Sequence, residues 1–199
     1  MGAGGRRVGV LALQGDFAAH ARALAARGVD AVEVRTAGEL AGIAGLVLPG
    51  GESTTMLTLL AEDSLGERLV ELVRGGLPAL ATCAGVILAA REVRGPAQPS
   101  LGLLDAVVER NAYGRQRDSA VAPLEACAGE ELEGRALEGV FIRAPIVREV
   151  GRDVHVLARR SGDPVLLRQG RLLAATFHPE LSPGSPVIDL FVASLRSQP

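Results

Sequence analysis

Short apolar runs alternate with amphipathic stretches through the first half of the chain. The apolar runs cover residues 8–13, 31–35, 45–49 and 77–81, and each is bounded by turn-forming or polar residues. Runs of this length are typical of strands buried on both faces of a sheet. Helical spacing predicts helices at residues 16–27, 65–74 and 84–93; Gly28 would end the first, and Ser53 could cap another. This order predicts a parallel sheet covered by helices on both faces.

The second half of the chain changes character. Strand-like runs occur at residues 106–110, 139–143, 154–158, 165–168 and 172–177, and short turns containing Gly or Pro join them. This pattern favours antiparallel strands that extend the sheet, followed by a closing helix at residues 187–196. We find no repeat and no linker long enough to divide domains, so residues 1–199 are expected to form a single α/β domain.

Composition excludes several classes of function. The net charge of −2 gives no strong attraction to nucleic acid, and no apolar run approaches the roughly 20 residues of a membrane helix. The start of the chain runs into a strand without a signal-peptide pattern, so a cytoplasmic protein is expected. All 21 basic residues are arginine. The chain therefore has no P-loop lysine and no lysine for a Schiff base.

Cysteine and histidine are few and widely spaced. Neither cysteine, Cys83 or Cys127, belongs to a CxxC motif, and the three histidines have no zinc-ligand spacing with them. We expect no metal site. His20, inside an amphipathic helix, and His155, between two valines, are interpreted as structural, as is Cys127.

One cysteine lies where a nucleophile would. Cys83 follows a buried strand and precedes a helix, and the flanking residues of Ala81-Thr-Cys-Ala-Gly85 are small. A tight strand-to-helix turn lifts the middle side chain out of the sheet, and the helix dipole favours a thiolate there. The backbone N–H of Ala84 would point toward an oxyanion at the attacked carbonyl. A small buried cysteine is the competing interpretation.

A candidate base lies about 95 residues downstream, at the end of another strand. Thr176-Phe-His-Pro-Glu180 places His178 and Glu180 two residues apart, which in extended backbone points both to the same side. A carboxylate fixes the tautomer of an imidazole and stabilises its charged form. Such a histidine can deprotonate a thiol and later protonate a leaving group.

A glycine-containing loop is a candidate for the second backbone donor of an oxyanion hole. Pro49-Gly-Gly-Glu-Ser-Thr54 joins a strand to a helix, and adjacent glycines let backbone N–H groups approach a ligand closely. An ordinary glycine turn would account for the pair equally well. A cysteine hydrolase, however, needs a second oxyanion donor from a neighbouring loop.

These motifs, in this order, resemble class I glutamine amidotransferases. Four further segments resemble the glutaminase subunit of pyridoxal 5'-phosphate synthase more narrowly: Leu13-Gln-Gly15, Pro49-Gly-Gly-Glu-Ser-Thr-Thr-Met56, Glu109-Arg-Asn-Ala-Tyr-Gly-Arg-Gln116 and Val140-Phe-Ile-Arg-Ala-Pro145. The resemblance covers nearly the whole chain. It implies a three-layer αβα, flavodoxin-like fold with a mixed, mostly parallel sheet and an antiparallel extension.

The resemblance also implies roles for residues. The triad would be Cys83, His178 and Glu180, and the oxyanion hole would be formed by the amides of Gly51 and Ala84. The residues expected to bind L-glutamine are Gly51, Glu52, Ser53, Arg110, Ile142 and Arg143. A guanidinium suits the α-carboxylate, and backbone groups of a strand at residues 141–143 suit the α-amino end. Gln14 is expected to couple the site to partner docking.

The implied activity is hydrolysis of glutamine to glutamate and ammonia. No cofactor is expected, and the ammonia would pass to a (β/α)8-barrel synthase subunit that makes pyridoxal 5'-phosphate. The absence of lysine fits this division of labour, since imine chemistry would fall to the partner. The alternatives are a glutaminase for another synthase, such as imidazole glycerol phosphate synthase, a stress-type cysteine hydrolase or chaperone, and an inactive regulatory module.

Overall fold

The computed structural model describes residues 6–62, 64–111, 120–127 and 129–196. Much of the Glu109-to-Gln116 motif therefore lies outside the described residues. The described α-helices are α1 (Phe17–Ala25), α2 (Ser53–Ala61), α3 (Leu65–Arg74), α4 (Ala84–Ala89) and α5 (Pro186–Ser194). The described strands, in chain order, are β1 (Arg7–Leu11), β2 (Asp30–Val34), β3 (Gly45–Leu48), β4 (Ala79–Thr82), β5 (Ala90–Arg94), β6 (Leu104–Glu109), β7 (Ala120–Ala126), β8 (Leu137–Phe141), β9 (Ile146–Val150), β10 (His155–Arg160), β11 (Asp163–Gln169) and β12 (Leu172–Ala175).

A large mixed sheet forms the centre of the described structure. Its strand order is β2-β1-β3-β4-β12-β11-β10-β7-β8. The first five strands are mutually parallel, and the four that follow alternate in direction. The prediction of a parallel sheet with an antiparallel extension is confirmed.

Two apolar layers flank this sheet, because alternate side chains of each buried strand point to opposite faces. On β4, Leu80 packs on the side of α1 and α5, whereas Ala79 and Ala81 pack on the side of α2, α3 and α4. The latter layer also contains a small sheet of order β5-β6-β9. The result is a three-layer αβα arrangement.

Several boundaries differ from the sequence prediction. Helical spacing predicts one helix over residues 84–93, but α4 ends at Ala89 and Ala90 begins β5. The run at 90–93 pairs with β6 instead of continuing the helix, so tertiary pairing overrides local helical periodicity. The sequence pattern does not predict β7 or β9. The proline and charged residues of β7 and the charged end of β9 obscure the apolar alternation by which strands are recognised.

No helix in the described part of the chain has the length and apolar content needed to cross a membrane.

Candidate active site

Cys83 occupies a strained elbow between β4 and α4. Its φ of 47° and ψ of −107° are rare for a residue with a side chain. Its backbone N–H donates to the carbonyl of Ala175 at 2.8 Å, which fixes the turn against the end of β12. The sharp strand-to-helix turn predicted from sequence is therefore present, and it places the thiol at the carboxyl edge of the parallel strands.

Close packing beneath the elbow explains its small residues. A Cβ atom on Gly85 would lie 2.1 Å from the carbonyl oxygen of Leu48, so a larger residue there would separate α4 from β3. Ala81 is fully buried in β4 and is aligned with Leu48 on one side and Ala174 on the other. Ala81 lies inside strand β4, so its backbone does not require glycine and the methyl group of alanine is tolerated there.

His178 and Glu180 are paired directly. His178 Nδ1 lies 2.7 Å from Glu180 Oε1, and both residues are buried. The contact agrees with the sequence prediction, but its predicted backbone basis is wrong. Glu180 belongs to a single 3-10 turn, Pro179–Leu181, and does not continue an extended strand. The turn folds the carboxylate back toward the imidazole, while the backbone N–H of His178 donates to the Val140 carbonyl at 2.9 Å.

The environment of His178 favours the imidazolium. Burial by itself lowers the pKa of His178. The hydrogen bonds and charges of Cys83 and Glu180 outweigh burial and raise the pKa of His178 to about 10. At neutral pH the imidazole therefore carries a proton that it can give to a leaving group.

The glycine loop is held by the segment that follows β1. The Gly50 carbonyl accepts from the backbone N–H of Asp16 at 3.2 Å, and Gln14 Oε1 accepts from the backbone N–H of Glu52 at 2.5 Å. A Cβ atom on Gly51 would lie 2.4 Å from that same Gln14 oxygen. Gln14 thus contacts the loop predicted to supply an oxyanion donor. In a trans peptide the C=O of Gly50 and the N–H of Gly51 point in opposite directions. Since the Gly50 carbonyl faces Asp16, the N–H of Gly51 faces away from Asp16.

The capping residue of α2 is Glu52, which corrects the expectation that Ser53 caps this helix. The Glu52 carboxylate accepts from the backbone N–H of Thr55 at 2.8 Å and from its hydroxyl at 3.0 Å. The backbone hydrogen bond from Thr55 is the main cause that lowers the pKa of Glu52. Ser53 is buried at the first helical position, and its hydroxyl lies 3.2 Å from Gln98 Oε1.

Arg110 reaches toward the same loop. Its guanidinium donates to Gln98 Oε1 and to the Thr54 hydroxyl, and it lies 3.4 Å from Glu52 Oε1. The guanidinium is thereby fixed beside two residues predicted to bind glutamine, Glu52 and Ser53. Sequence reasoning missed Gln98, because a lone glutamine in the loop between β5 and β6 carries no recognisable signal.

Ile142 and Arg143 lie just after β8, in a bend. The sequence pattern predicts that they continue that strand, but β8 ends at Phe141 and Arg143 has a φ of 47°. Cys83 Sγ lies 3.7 Å from the carbonyl oxygen of Ile142, so this bend contacts the predicted nucleophile. The Arg143 side chain is exposed.

His20 is at the site, contrary to its interpretation as a structural residue of α1. It is fully buried, and its Nε2 lies 3.0 Å from the Thr82 hydroxyl and 3.4 Å from Glu180 Oε2. Helical periodicity places His20 on the buried face of α1 but cannot show what that face meets. His155 and Cys127 are elsewhere: His155 pairs with Glu130 near the surface, and Cys127 is a half-buried free thiol.

Three potential metal ligands also converge here. Ligand atoms of Asp16, His178 and Glu180 lie within 4.8 Å of one another. The hydrogen bond between His178 and Glu180 already engages two of these side chains. The absence of a metal site stays a prediction.

A strained cysteine elbow beside a buried histidine–glutamate pair, on a sheet of this topology, is the arrangement of triad hydrolases that use cysteine as the nucleophile. The SNO glutamine amidotransferase family matches residues 10–197. The chain belongs to this family.

The chain is similar to known proteins over nearly its full length. The chain is 52% identical over 194 residues to a protein of Solibacter usitatus, covering 96% of this chain and 100% of that protein. It is 53% identical to a protein of a Parafrankia species, covering 96% and 94%. Both are named pyridoxal 5'-phosphate synthase subunit PdxT. A crystal structure of a glutamine amidotransferase, 46% identical, superposes with a TM-score of 0.86 and covers 94% of this chain and 98% of that one.

Proposed function

We propose that the chain hydrolyses L-glutamine to L-glutamate and ammonia, and that the ammonia is used for pyridoxal 5'-phosphate synthesis. The observation that carries the proposal is the convergence of Cys83, in its strained elbow, with the buried pair of His178 and Glu180: the Cys83 side chain hydrogen-bonds His178, and both side chains border Gly50. Membership of the family and the names of the similar proteins support the substrate and the pathway.

The first half-reaction forms a thioester. The Cys83 thiolate attacks the side-chain amide carbon of glutamine, and the new C–S bond places negative charge on the former carbonyl oxygen. The amides of Gly51 and Ala84 stabilise that oxyanion. His178 gives its proton to the amide nitrogen, the C–N bond breaks, and ammonia leaves.

The second half-reaction restores the enzyme. His178, now neutral, takes a proton from water, and the resulting hydroxide attacks the glutamyl thioester carbon. The C–S bond breaks, glutamate is released, and the thiolate is again paired with the imidazolium. The Glu180 carboxylate stabilises the imidazolium through its hydrogen bond to His178.

Arg110 binds the α-carboxylate of glutamine in this proposal. Its side chain is only 16% exposed, and the Thr54, Gln98 and Glu52 contacts hold it beside the glycine loop. Glu52, Ser53 and the backbone at Ile142 and Arg143 contact the remaining polar groups of the substrate. These assignments rest on the family resemblance together with the positions of the residues.

The proposed partner is a synthase subunit with a (β/α)8-barrel fold, and the whole complex is proposed to be cytoplasmic. Gln14 supports a role for the partner in activation, since its side chain contacts both Gly51 and Glu52. Movement of the segment at Gln14 would therefore reposition the amide of Gly51. A single domain for residues 1–199 is part of the same proposal.

The test is glutamate release from glutamine, with and without a candidate synthase subunit. Partner-stimulated release is expected from the wild type and from Cys127→Ser, and none from Cys83→Ala. Release that survives Cys83→Ala would refute the proposed nucleophile. Labelling of Cys83 by a glutamine-like electrophile, without turnover, would show instead that the chosen synthase is the wrong partner.

A further inference from the structure

His20 is a buried ionisable residue to which the mechanism above gives no role. It projects from α1 and is fully buried between the end of β4 and the 3-10 turn at Pro179–Leu181. Its Nε2 approaches the Thr82 hydroxyl at 3.0 Å and Glu180 Oε2 at 3.4 Å. Thr82 immediately precedes the nucleophile, and Glu180 orients the base. The His20 imidazole therefore contacts one proposed triad residue, Glu180, and the residue that precedes another, Thr82 before Cys83.

Glu180 has one oxygen for each histidine. Oε1 is 2.7 Å from His178 Nδ1, whereas Oε2 is buried and has no well-formed hydrogen bond to any of the described residues. A buried carboxylate oxygen without a donor is costly, and a nearby N–H reduces that cost. The His20 Nε2 is the donor placed to do so.

The charges around His20 favour its neutral form. Burial lowers its pKa, the nearby positive charge of His178 acts in the same direction, and the carboxylates of Glu180 and Asp16 oppose them. A neutral imidazole that carries its proton on Nε2 can donate to Glu180 without adding a second cation beside His178. Its Nδ1 has no partner among the described residues, which is consistent with Nε2 as the protonated nitrogen.

We propose that His20 is a positioning residue of this site: its Nε2–H, shared between Thr82 and Glu180, holds the Glu180 carboxylate aligned on His178. Glu180 in turn stabilises the imidazolium, and the imidazolium stabilises the Cys83 thiolate. His20 touches no reacting atom. The inference rests on the proposed function for its effect on turnover, but its effect on the thiolate is independent of any substrate.

Two amide variants separate hydrogen-bond donation by the side chain of residue 20 from its packing. In His20→Gln the amide nitrogen reaches about as far as Nε2, whereas in His20→Asn it reaches only as far as Nδ1. Both keep a polar side chain in the buried position. His155→Asn is the matched control, because it removes a histidine that pairs with a glutamate at 3.3 Å near the surface, away from the triad.

The first readout is alkylation of Cys83 by iodoacetamide as a function of pH, in a Cys127→Ser background without glutamine or partner. We expect His20→Asn to move the midpoint of the alkylation profile upward by about one pH unit, because Glu180 is then less well aligned on His178 and the imidazolium stabilises the Cys83 thiolate less. His20→Gln and His155→Asn are expected to stay near the wild type.

The second readout is steady-state glutamine hydrolysis with the synthase partner. We expect kcat of His20→Asn to fall by about 10- to 100-fold with little change in KM, and His20→Gln to recover most of that loss. If neither profile nor kcat changes in folded His20→Asn, His20 only fills space and the proposal is overturned. If no variant or wild type releases glutamate, the proposed function fails, while the alkylation profiles still decide the role of His20.

Discussion

A Cβ atom on Gly50 would lie 2.5 Å from Cε1 of His178 and 3.4 Å from Cβ of Cys83. The absence of a side chain at residue 50 therefore leaves room for the imidazole beside Cys83. In the sequence, the first glycine of the loop is recognised only as a companion of Gly51. In the folded chain it borders the ring of His178, the proposed catalytic histidine.

Gly50→Ala is expected to lower kcat by about 100-fold, because the methyl group displaces the imidazole and misplacement of about 1 Å can cost that much. Steady-state glutamine hydrolysis measures it. Gly38→Ala is the matched control, since a Cβ atom at residue 38 meets nothing within 4 Å. Wild-type kcat in a folded Gly50→Ala variant would contradict this account of the packing.

The protonation of His178 should extend well into the alkaline range. Because its pKa is raised from 6.5 to about 10, the imidazolium persists at neutral pH and is lost as pH rises through about 10. NMR titration of the His178 ring proton measures this directly. Above that pH the general acid is lost, so glutamine hydrolysis should decline.

Glu180→Gln tests the cause of that shift. The variant removes the negative charge but keeps a polar side chain, so the titration midpoint of His178 should move to lower pH. His155, near the surface, provides an internal control in the same spectrum. An unchanged midpoint in Glu180→Gln would mean that Glu180 does not stabilise the imidazolium.

Arg110→Lys is expected to raise KM for glutamine by about 10- to 100-fold with a smaller effect on kcat, because lysine cannot reproduce the planar fork of the guanidinium. Gln98→Ala should raise KM in the same direction but less, since it removes only a contact that holds Arg110. Arg74→Lys, which alters an arginine on α3, is the control. Equal KM values for Arg110→Lys and Arg74→Lys would exclude Arg110 from substrate binding.

Glu52→Ala should lower the free energy of unfolding by about 1 kcal/mol through loss of the α2 cap. Glu52→Gln keeps an acceptor for the Thr55 N–H and should lose less. Because the pKa of Glu52 is lowered in the folded state, its contribution is present above the unfolded value and disappears as pH falls through the folded value. Urea unfolding at pH 7 and at pH 3 measures both effects. Identical stability of the two variants at pH 7 would argue against capping by Glu52.

The sequence by itself determined the alternation of elements and the three triad candidates. Buried strands occur as unbroken apolar runs, and a cysteine that follows such a run between small residues is typical of a nucleophile elbow. The pair of His178 and Glu180 is also local, since one residue lies between them. Even there the predicted contact is right for the wrong backbone reason, because a 3-10 turn, and not an extended strand, brings the carboxylate to the imidazole.

Tertiary structure alone decided which distant residues meet at the site. His20 is 62 positions from Thr82 and still farther along the chain from Glu180, and Gln98 reaches Arg110 from the loop between two strands of the small sheet. Periodicity says that a side chain is buried but not what it is buried against. The same limit applies to β5, which is a strand because β6 lies beside it. Local pattern determines the elements, whereas the partners of each buried polar group follow from how those elements pack.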